Sequence, residues 1–411
     1  MQAKRAHALL PKPDRLLSRN WPLYAVLAAS LIAGMAYVFP SGTPQPRDYV
    51  LALVIVLVAG PALKALMVRG DHWLLGLVVW VSLVNGTWAF LLSDPAFLPA
   101  ALYYGYNVGV FVVVTWALQH GHDSASRWLR IGALCALGVQ AVIVLHGFGE
   151  SARVAGTFNN PNQLGYWAVL LTALYLVLSY NRPWGLRELV VVGLGASLTI
   201  ASLSIAAMLS MALVAIVFLF VHPVSPPLRV ATIFLGSTLL VGAIVTDDLP
   251  RRIGDAQTAQ LFAARQAAVL SRDEFDNRGY DRLLEHPGYL VAGAGEGAYS
   301  RFSESRDIEL HSSFGTMLFS YGVVGLALFM IVLLRALRGS PSLVILYFIP
   351  LLLYGLAHQG LRFTEFWILL AAVAISRSVA LGVSSRRASR ETSDGTNGWF
   401  LPRQTQRTGP P

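Results

Sequence analysis

The stretch that decides the fold runs from Leu189 to Val221 and reads LVVVGLGASLTIASLSIAAMLSMALVAIVFLFV. It contains no charged side chain over 33 consecutive residues. A membrane-spanning helix needs about 20 mostly apolar residues, so this stretch is too long for a single crossing. We therefore predict two short crossing helices that meet near Ser202–Ser204.

The composition of the whole chain agrees with a membrane protein. Of the 411 residues, 55% are hydrophobic and 13% are charged, and the mean hydropathy is +0.57. A soluble protein carries about 25% charged residues, and this chain has too few charges to cover two or three soluble domains. The single cysteine, Cys135, excludes a disulfide framework and a cysteine-based zinc site. We predict an all-α integral membrane protein.

Apolar runs elsewhere bring the predicted number of transmembrane helices to about twelve. The other ten runs lie near 21–39, 49–68, 73–92, 99–119, 131–148, 164–180, 230–245, 314–334, 343–357 and 366–381. An even number of crossings places both termini on the same side of the membrane. The first run has no clear small-x-small cleavage site, so no cleavable signal peptide is expected.

The distribution of positive charge predicts that both termini are cytoplasmic, because lysine and arginine resist translocation. Residues 1–20 carry five of them, and the tail after Gly382 carries another five. The same orientation places eight arginines in cytoplasmic loops: Arg69, Arg127, Arg130, Arg182, Arg187, Arg229, Arg335 and Arg338. The short outer loops hold Arg47, Arg153 and Arg362. Topology thus explains the net charge of +9, and no nucleic acid partner is expected.

The apolar runs and the distribution of charge divide the chain into five parts. They are a basic cytoplasmic N-terminus 1–20, transmembrane helices 1–9 in 21–245, a large outer loop 246–313, transmembrane helices 10–12 in 314–381 and a disordered basic tail 382–411. Residues 246–311 contain 12 of the 22 acidic residues of the chain. Polar loops of this length are usually functional or disordered. The helix-like spacing of apolar residues in Gln257–Leu270 favours a folded loop that lies over the outer mouth.

The first candidate patch is RVAGTFNNPNQLG, residues 153–165, at the start of the sixth predicted span. Asn160 followed by Pro161 is typical of an N-cap with proline at the first helical position. The free N–H groups and the dipole of such a helix favour an anion, and Arg153 could add a bidentate phosphate contact. An ordinary capped helix with a solvated arginine accounts for the same pattern.

The second patch is NRGYDRLLEHP, residues 277–287, followed by GAGEG at 293–297. The glycines can adopt positive φ and allow a close approach of the backbone to a ligand. The patch is not a P-loop, because no Lys-Ser/Thr pair follows, and dinucleotide binding is unsupported. A surface loop with turns is the alternative interpretation.

The third patch is ELHSSF, residues 309–314, where the large loop re-enters the membrane and a glycine-spaced span begins. A neutral His311 at this boundary could act as a general base near neutral pH. An interfacial histidine that is merely hydrogen-bonded is the alternative. The other histidines, such as His120, His122 and His358, have no comparable neighbourhood in the sequence. All three patches lie on the predicted outer face, which suits a lipid-linked phosphate substrate.

At these residues the sequence resembles the superfamily of O-antigen ligases and Wzy-type polysaccharide polymerases, which are glycosyltransferases of the bacterial inner membrane. The segment GTFNNPNQLG, residues 156–165, is similar to the G-x-F-x-N-P-N-x-x-G signature of that family. The order of parts is also similar: about twelve spans, one large periplasmic loop, a His-Ser motif and a G-x-x-G span. The resemblance covers residues 130–335 well and the rest by topology.

The resemblance implies transfer of a glycan from undecaprenyl pyrophosphate to a glycan or lipid-linked acceptor at the periplasmic face, in surface polysaccharide biosynthesis. It implies that Arg153 and a loop arginine bind the pyrophosphate and that His311 orients or deprotonates the acceptor hydroxyl. Arg278 best matches the loop arginine, with Arg282 and Arg272 as further candidates. The remaining implied substrate-binding residues are Asn160, Asn162, Tyr280 and Glu296. Other polysaccharide assembly proteins and membrane lipids are the expected partners.

The expected chemistry uses no metal and no other cofactor, because pyrophosphate is already a good leaving group whose developing charge arginine and helix N–H groups can stabilise. Asp48 is the sole acid in the first outer loop, 40–48, where metal-dependent polyprenyl-phosphate transferases usually place paired acids.

Two other functions stay open. A multispan transporter or lipid-linked oligosaccharide flippase also has about twelve spans, but such folds usually show two related halves and charges at mid-membrane. A non-catalytic membrane scaffold is the third alternative. The sequence does not distinguish a polymerase from a ligase, because both use the same donor chemistry.

Overall fold

The computed structural model describes residues 20–39, 43–146, 153–182, 185–222, 229, 278–302 and 309–377. Within these residues the chain is all-helical. The helices are α1 (Trp21–Ala33), α2 (Pro46–Arg69), α3 (Trp73–Leu92), α4 (Leu98–His120), α5 (His122–His146), α6 (Pro161–Val177), α7 (Leu186–Ser202), α8 (Ile205–Phe220), α9 (Asp281–Glu285), α10 (Tyr289–Ala292), α11 (Ser313–Leu337), α12 (Ser342–Ala357) and α13 (364–377). Short 3₁₀ turns occupy Pro95–Phe97 and Tyr299–Phe302.

Five of these helices are long and apolar enough to cross a membrane: α2, α3, α4 with its preceding turn, α5 and α11. Shorter apolar helices include α1, α8 and α12. The predicted all-α fold is therefore confirmed for the described residues, and five helices have the length and composition of membrane spans. Eleven of the twelve predicted crossings coincide with helices, whereas the run near 230–245, the segment Gln257–Leu270 and both chain ends lie outside the described residues. The count of twelve crossings stays a prediction.

The centre of the bundle is α6, in which every residue from Leu164 to Val177 is buried. It packs against α5, α7, α8 and α12. A helix that is apolar all round is suited to such a position, because it needs no polar face. By contrast, α2 lies at the periphery and exposes apolar side chains such as Leu57 and Val68 to the surroundings.

The predicted break at Ser202–Ser204 is present. Helix α7 ends at Ser202, Leu203 adopts the left-handed conformation with φ 49°, and α8 begins at Ile205. The Ser202 hydroxyl accepts a hydrogen bond from the Ser204 N–H at 3.3 Å. This local turn ends the hydrogen-bonding ladder of α7 and leaves the Ser202 carbonyl available to another part of the chain.

Helix α1 is shorter than its predicted run, 21–39, because it ends at Ala33. The following residues bind the side chain of Gln45 instead of continuing the helix. The Gln45 Oε1 atom accepts from the Val38 N–H at 2.9 Å and from the Phe39 N–H at 3.0 Å. Hydrophobicity could not reveal this end, since the residues that follow Ala33 are also mostly apolar.

The described part of the large loop packs on α11 through glycines. Gly293 has φ 88°, and Gly322, where α11 departs from helical geometry, has φ 67°. A Cβ atom at Gly322 would lie 2.3 Å from the Val291 carbonyl oxygen. The next loop residue, Ala294, donates its N–H to the Phe319 carbonyl at 2.9 Å. The predicted positive φ is confirmed, and here it serves a close approach between the loop and a helix.

Candidate functional site

The three sequence patches converge at one end of the helix bundle. This end contains the N-termini of α6 and α11 and the C-terminus of α12. The Tyr354 hydroxyl of α12 donates to the Asn162 carbonyl of α6 at 3.3 Å. The Ser313 N–H of α11 donates to the His358 carbonyl, just after α12, at 3.2 Å. Residues that are far apart in the sequence thus come together around the end of α12.

The start of α6 has the predicted capped form. Asn160 adopts extended backbone geometry, its Oδ1 atom accepts from the Asn162 N–H at 2.8 Å, and Pro161 occupies the first turn. Arg153 contacts this turn through a 3.0 Å hydrogen bond from its terminal nitrogen to Asn162 Oδ1. Its Nε atom donates to the Ser202 carbonyl at 3.3 Å. The break after α7 therefore helps to hold Arg153 beside the positive end of the α6 dipole.

His311 lies immediately before α11, in a segment that is fixed from both sides. Its backbone N–H donates to the Arg278 carbonyl at 3.0 Å, and Ser312 caps α11 by accepting from the Gly315 N–H at 3.1 Å. The Nδ1 atom lies 3.0 Å from the Glu309 carbonyl oxygen. Because a carbonyl only accepts, this contact requires the proton on Nδ1, and in the neutral ring the lone pair is then on Nε2.

Arg278 and Tyr280 join the large loop to the C-terminal end of α12. Arg278 donates to the Ala357 carbonyl at 2.9 Å, a favourable place for a cation because the dipole of a helix is negative there. The Tyr280 hydroxyl lies 2.8 Å from the His311 carbonyl and 3.1 Å from the Leu356 carbonyl. Burial raises the pKa of Tyr280, with Arg278 opposing the shift. Tyr280 therefore acts as a neutral hydrogen-bond donor.

Aromatic rings connect the Arg153 side of this end with the His311 side. Tyr354 stacks on Tyr166 with ring centroids 4.0 Å apart and on His358 at 4.9 Å. The centroids of the His358 and His311 rings lie 6.5 Å apart. We refer to Arg153, Asn162, Arg278, His311, Tyr354 and His358 as the arginine–histidine cluster.

The expectation that His358 has no comparable neighbourhood is wrong. One feature of the sequence pointed to a neighbour of His358. Tyr354 and His358 are four residues apart at the end of a helix, and residues with this spacing lie on the same helix face. That spacing does not indicate which other helix the pair contacts. Because the sequence does not show that α12 contacts α6, it also gave no indication that Tyr354 belongs to the site.

Two further predicted residues lie apart from this cluster. Arg282 is only 4% exposed, and its guanidinium group lies over the rings of Tyr299 and Phe302 at 5.6 and 5.4 Å. Glu296 is 1% exposed and belongs to a different polar network. Arg272 lies outside the described residues.

That network is centred on Arg362, which the charge distribution predicts to lie in a short outer loop. Arg362 binds Glu296 Oε1 through two nitrogen atoms at 2.5 and 3.1 Å and binds Glu309 Oε2 at 2.6 Å. The Tyr321 hydroxyl donates to Glu296 Oε2 at 2.9 Å, and the Glu296 N–H donates to Asn85 Oδ1 at 2.8 Å. We refer to these five residues as the Arg362 cluster.

The charges in the Arg362 cluster stabilise one another. Burial opposes the charge on Arg362, but Glu296 and Glu309 together raise the pKa of Arg362 well above its ordinary value. Arg362 is therefore a permanent cation between two acids. A similar ion pair, between Arg47 and the fully buried Glu365, ties the start of α2 to the start of α13.

The arginine–histidine cluster brings two guanidinium groups, a helix N-terminus and an imidazole to one end of the bundle. Two arginines and a helix N-terminus can stabilise a developing negative charge, and an imidazole with a free Nε2 atom can accept a proton. Comparison with models of known protein families gives no match. Comparison with curated protein sequences likewise gives no significant match.

Proposed function

We propose that the chain is a glycosyltransferase of the O-antigen ligase and polysaccharide polymerase type, which moves a glycan from undecaprenyl pyrophosphate to an acceptor sugar. The observation that carries the proposal is the convergence of Arg153, the N-terminus of α6, Arg278 and His311 at one end of the bundle. These residues come from three distant parts of the sequence.

Arg153 and Arg278 would bind the pyrophosphate. Each already donates to uncharged oxygen atoms, and phosphate oxygens accept stronger, charge-assisted hydrogen bonds from the same guanidinium groups. Asn160 and Asn162 shape the helix N-terminus at which such an anion is stabilised. Arg282 and Arg272 are the alternative loop arginines. Glu296 would support the site from the Arg362 cluster.

His311 would serve the acceptor. Its Nδ1–H donates to the Glu309 carbonyl, so Nε2 can take the proton of a sugar hydroxyl as that oxygen attacks the anomeric carbon. The bond between the anomeric carbon and the pyrophosphate oxygen breaks, and the arginines stabilise the departing pyrophosphate. No step in this scheme needs a metal ion or another cofactor.

The proposed setting is the bacterial inner membrane, with about twelve crossings, both termini in the cytoplasm and the large loop in the periplasm. The ends of the described helices support this arrangement, because the N-termini of α6 and α11 and the C-terminus of α12 share one end of the bundle. Reporter fusions test it. A fusion after Asp276 should report the periplasm, and fusions after Arg187 and Arg390 should report the cytoplasm.

Transfer assays on the purified full chain in lipid nanodiscs test the activity, with a synthetic undecaprenyl-pyrophosphate-linked oligosaccharide as donor. We expect a longer or transferred glycan, with activity retained in EDTA. Loss of activity in EDTA that Mg²⁺ restores would contradict the metal-free scheme. Movement of the intact lipid-linked oligosaccharide between leaflets, without a new glycosidic bond, would identify a flippase instead.

Glycan profiling of a strain without this protein distinguishes the two forms of the proposal. Single units without long chains indicate a polymerase, because units are made but not joined. Complete polymer that stays on the carrier lipid indicates a ligase. Restoration by the wild-type chain and not by a His311→Ala chain present at equal amount would tie the phenotype to the site.

A further inference from the structure

We infer that Arg362 is a positioning residue that, through Glu309, holds His311 with Nδ1 protonated and Nε2 free to accept a proton. The inference rests on the proposed function for its catalytic consequence. Its structural part depends only on the contacts that join the Arg362 cluster to the arginine–histidine cluster.

Glu309 is the residue that belongs to both interactions. Its carboxylate binds Arg362 at 2.6 Å, and its backbone carbonyl accepts from His311 Nδ1 at 3.0 Å. The Glu309 carbonyl can accept from the His311 ring only while the backbone between the two residues keeps its present conformation. The ion pair restrains the side chain of the residue that supplies that carbonyl.

Arg362 is itself fixed by a buried partner. Glu296 is 1% exposed; its carboxylate accepts from the Tyr321 hydroxyl of α11, and its backbone N–H donates to Asn85 of α3. Two nitrogen atoms of Arg362 bind one oxygen of that carboxylate. The remaining terminal nitrogen is thereby directed at Glu309.

A second attachment holds the other side of His311. The Gly360 N–H donates to the Ser313 hydroxyl oxygen at 2.9 Å, and the Ser313 N–H donates to the His358 carbonyl. The loop that follows α12 therefore contacts two residues on either side of His311, namely Glu309 before α11 and Ser313 at the first position of α11. Loss of the Arg362–Glu309 ion pair would remove the contact on the Glu309 side of His311.

Glu309→Ala is the sharpest test, because it removes that attachment and leaves the buried Glu296–Arg362 pair in place. The Glu309 and Arg362 side chains are 35% and 31% exposed, and ion pairs of this exposure contribute little to folding. Glu309→Gln is the conservative partner, since its amide oxygen can still accept from Arg362. Glu285→Ala, which removes an exposed carboxylate from the same loop, is the matched control.

The direct measurement is ¹⁵N NMR of the full chain in nanodiscs with labelled histidine, where His311→Gln assigns the signal. We expect wild-type His311 to be protonated on Nδ1 and Glu309→Ala to show a mixture of the two neutral tautomers. In the transfer assay we expect kcat of Glu309→Ala to fall about tenfold, which is part of the usual contribution of a general base to the rate. We expect KM for the donor to change by less than about twofold. Glu309→Gln should recover most of both properties.

A Glu309→Ala chain with the wild-type tautomer and the wild-type kcat would overturn the inference while the proposed function stands. A Glu285→Ala chain that changes as much as Glu309→Ala would also overturn it. If Glu309→Ala changes the tautomer but the wild-type chain transfers no glycan, the positioning contact is established and the proposed function fails.

Discussion

The arginine–histidine cluster and the Arg362 cluster lie at the same end of the bundle and use their arginines differently. Arg362 is bound by two carboxylates, one of them 1% exposed. Arg153 and Arg278 donate to the Asn162 amide and to backbone carbonyls at the ends of α7 and α12. The first arrangement matches charge with charge, whereas the contacts of Arg153 and Arg278 given above place guanidinium groups on neutral oxygen atoms.

On the proposed function, we assign Arg362 a structural role and Arg153 and Arg278 a role in binding the ligand. Removal of Arg362 from Glu296 would leave a buried carboxylate unpaired, which costs more than the ion pair gained. An arginine that leaves a neutral carbonyl for a phosphate exchanges a weaker hydrogen bond for a charge-assisted one. We therefore expect variants of the arginine–histidine cluster to lose activity and variants of the buried pair to lose stability.

The largest effect is expected for His311→Ala. Transfer should fall by about 10²–10⁴-fold, the usual contribution of a positioned general base, while binding of undecaprenyl pyrophosphate is largely preserved. His311→Gln separates two roles. It should retain part of the activity if the side chain only orients the hydroxyl, and almost none if it removes the proton. A stable, inserted His311→Ala chain with wild-type output would leave the base unassigned.

The next effect concerns stability. Glu296→Ala should lower the free energy of unfolding by about 3 kcal/mol, because Arg362 and Tyr321 lose a buried partner. Thermal unfolding in detergent measures this, with Glu285→Ala as the exposed control. A Glu296→Ala chain with unchanged thermal stability but no donor binding would reverse the comparison and return Glu296 to the pyrophosphate site.

Arg153→Lys and Arg278→Lys should weaken donor binding about thirtyfold, or about 2 kcal/mol, because an ammonium group cannot replace the planar fork. Binding of undecaprenyl pyrophosphate to nanodiscs measures the effect. Arg127→Lys, at an exposed position of α5, is the matched control. Near-normal binding in Arg278→Lys and Arg278→Ala would transfer the role to Arg282 or Arg272.

The smallest effect is expected for Tyr354→Phe, which removes the hydrogen bond to the Asn162 carbonyl but keeps the stacked rings. A loss of about 1 kcal/mol corresponds to about a fivefold decrease in transfer. Tyr180→Phe removes a similar bond to the Ser376 carbonyl and should leave transfer unchanged. Equal effects of both variants on activity would show that Tyr354 contributes only general stability.

The sequence by itself determined the features that depend on neighbouring residues. Apolar runs predict helices because lipid and packed helices both exclude charge, and the length of Leu189–Val221 required the break that Leu203 provides. The cap at Asn160–Pro161 was predictable because its donor and acceptor are two residues apart. The sequence predicted His311 as a candidate general base, but it did not identify the Glu309 carbonyl as the partner of its Nδ1 atom.

Only the tertiary structure decided which distant residues meet. The Tyr354–Asn162 contact joins residues 192 positions apart, and the Arg362–Glu296 contact joins residues 66 apart. Neither pair leaves a periodic signal, because each depends on how helices cross and where loops fold back. The same packing assigned Glu296 to a buried ion pair and brought His358 beside His311. Local partition between water and lipid selects the helices, and their packing alone brings the functional groups together.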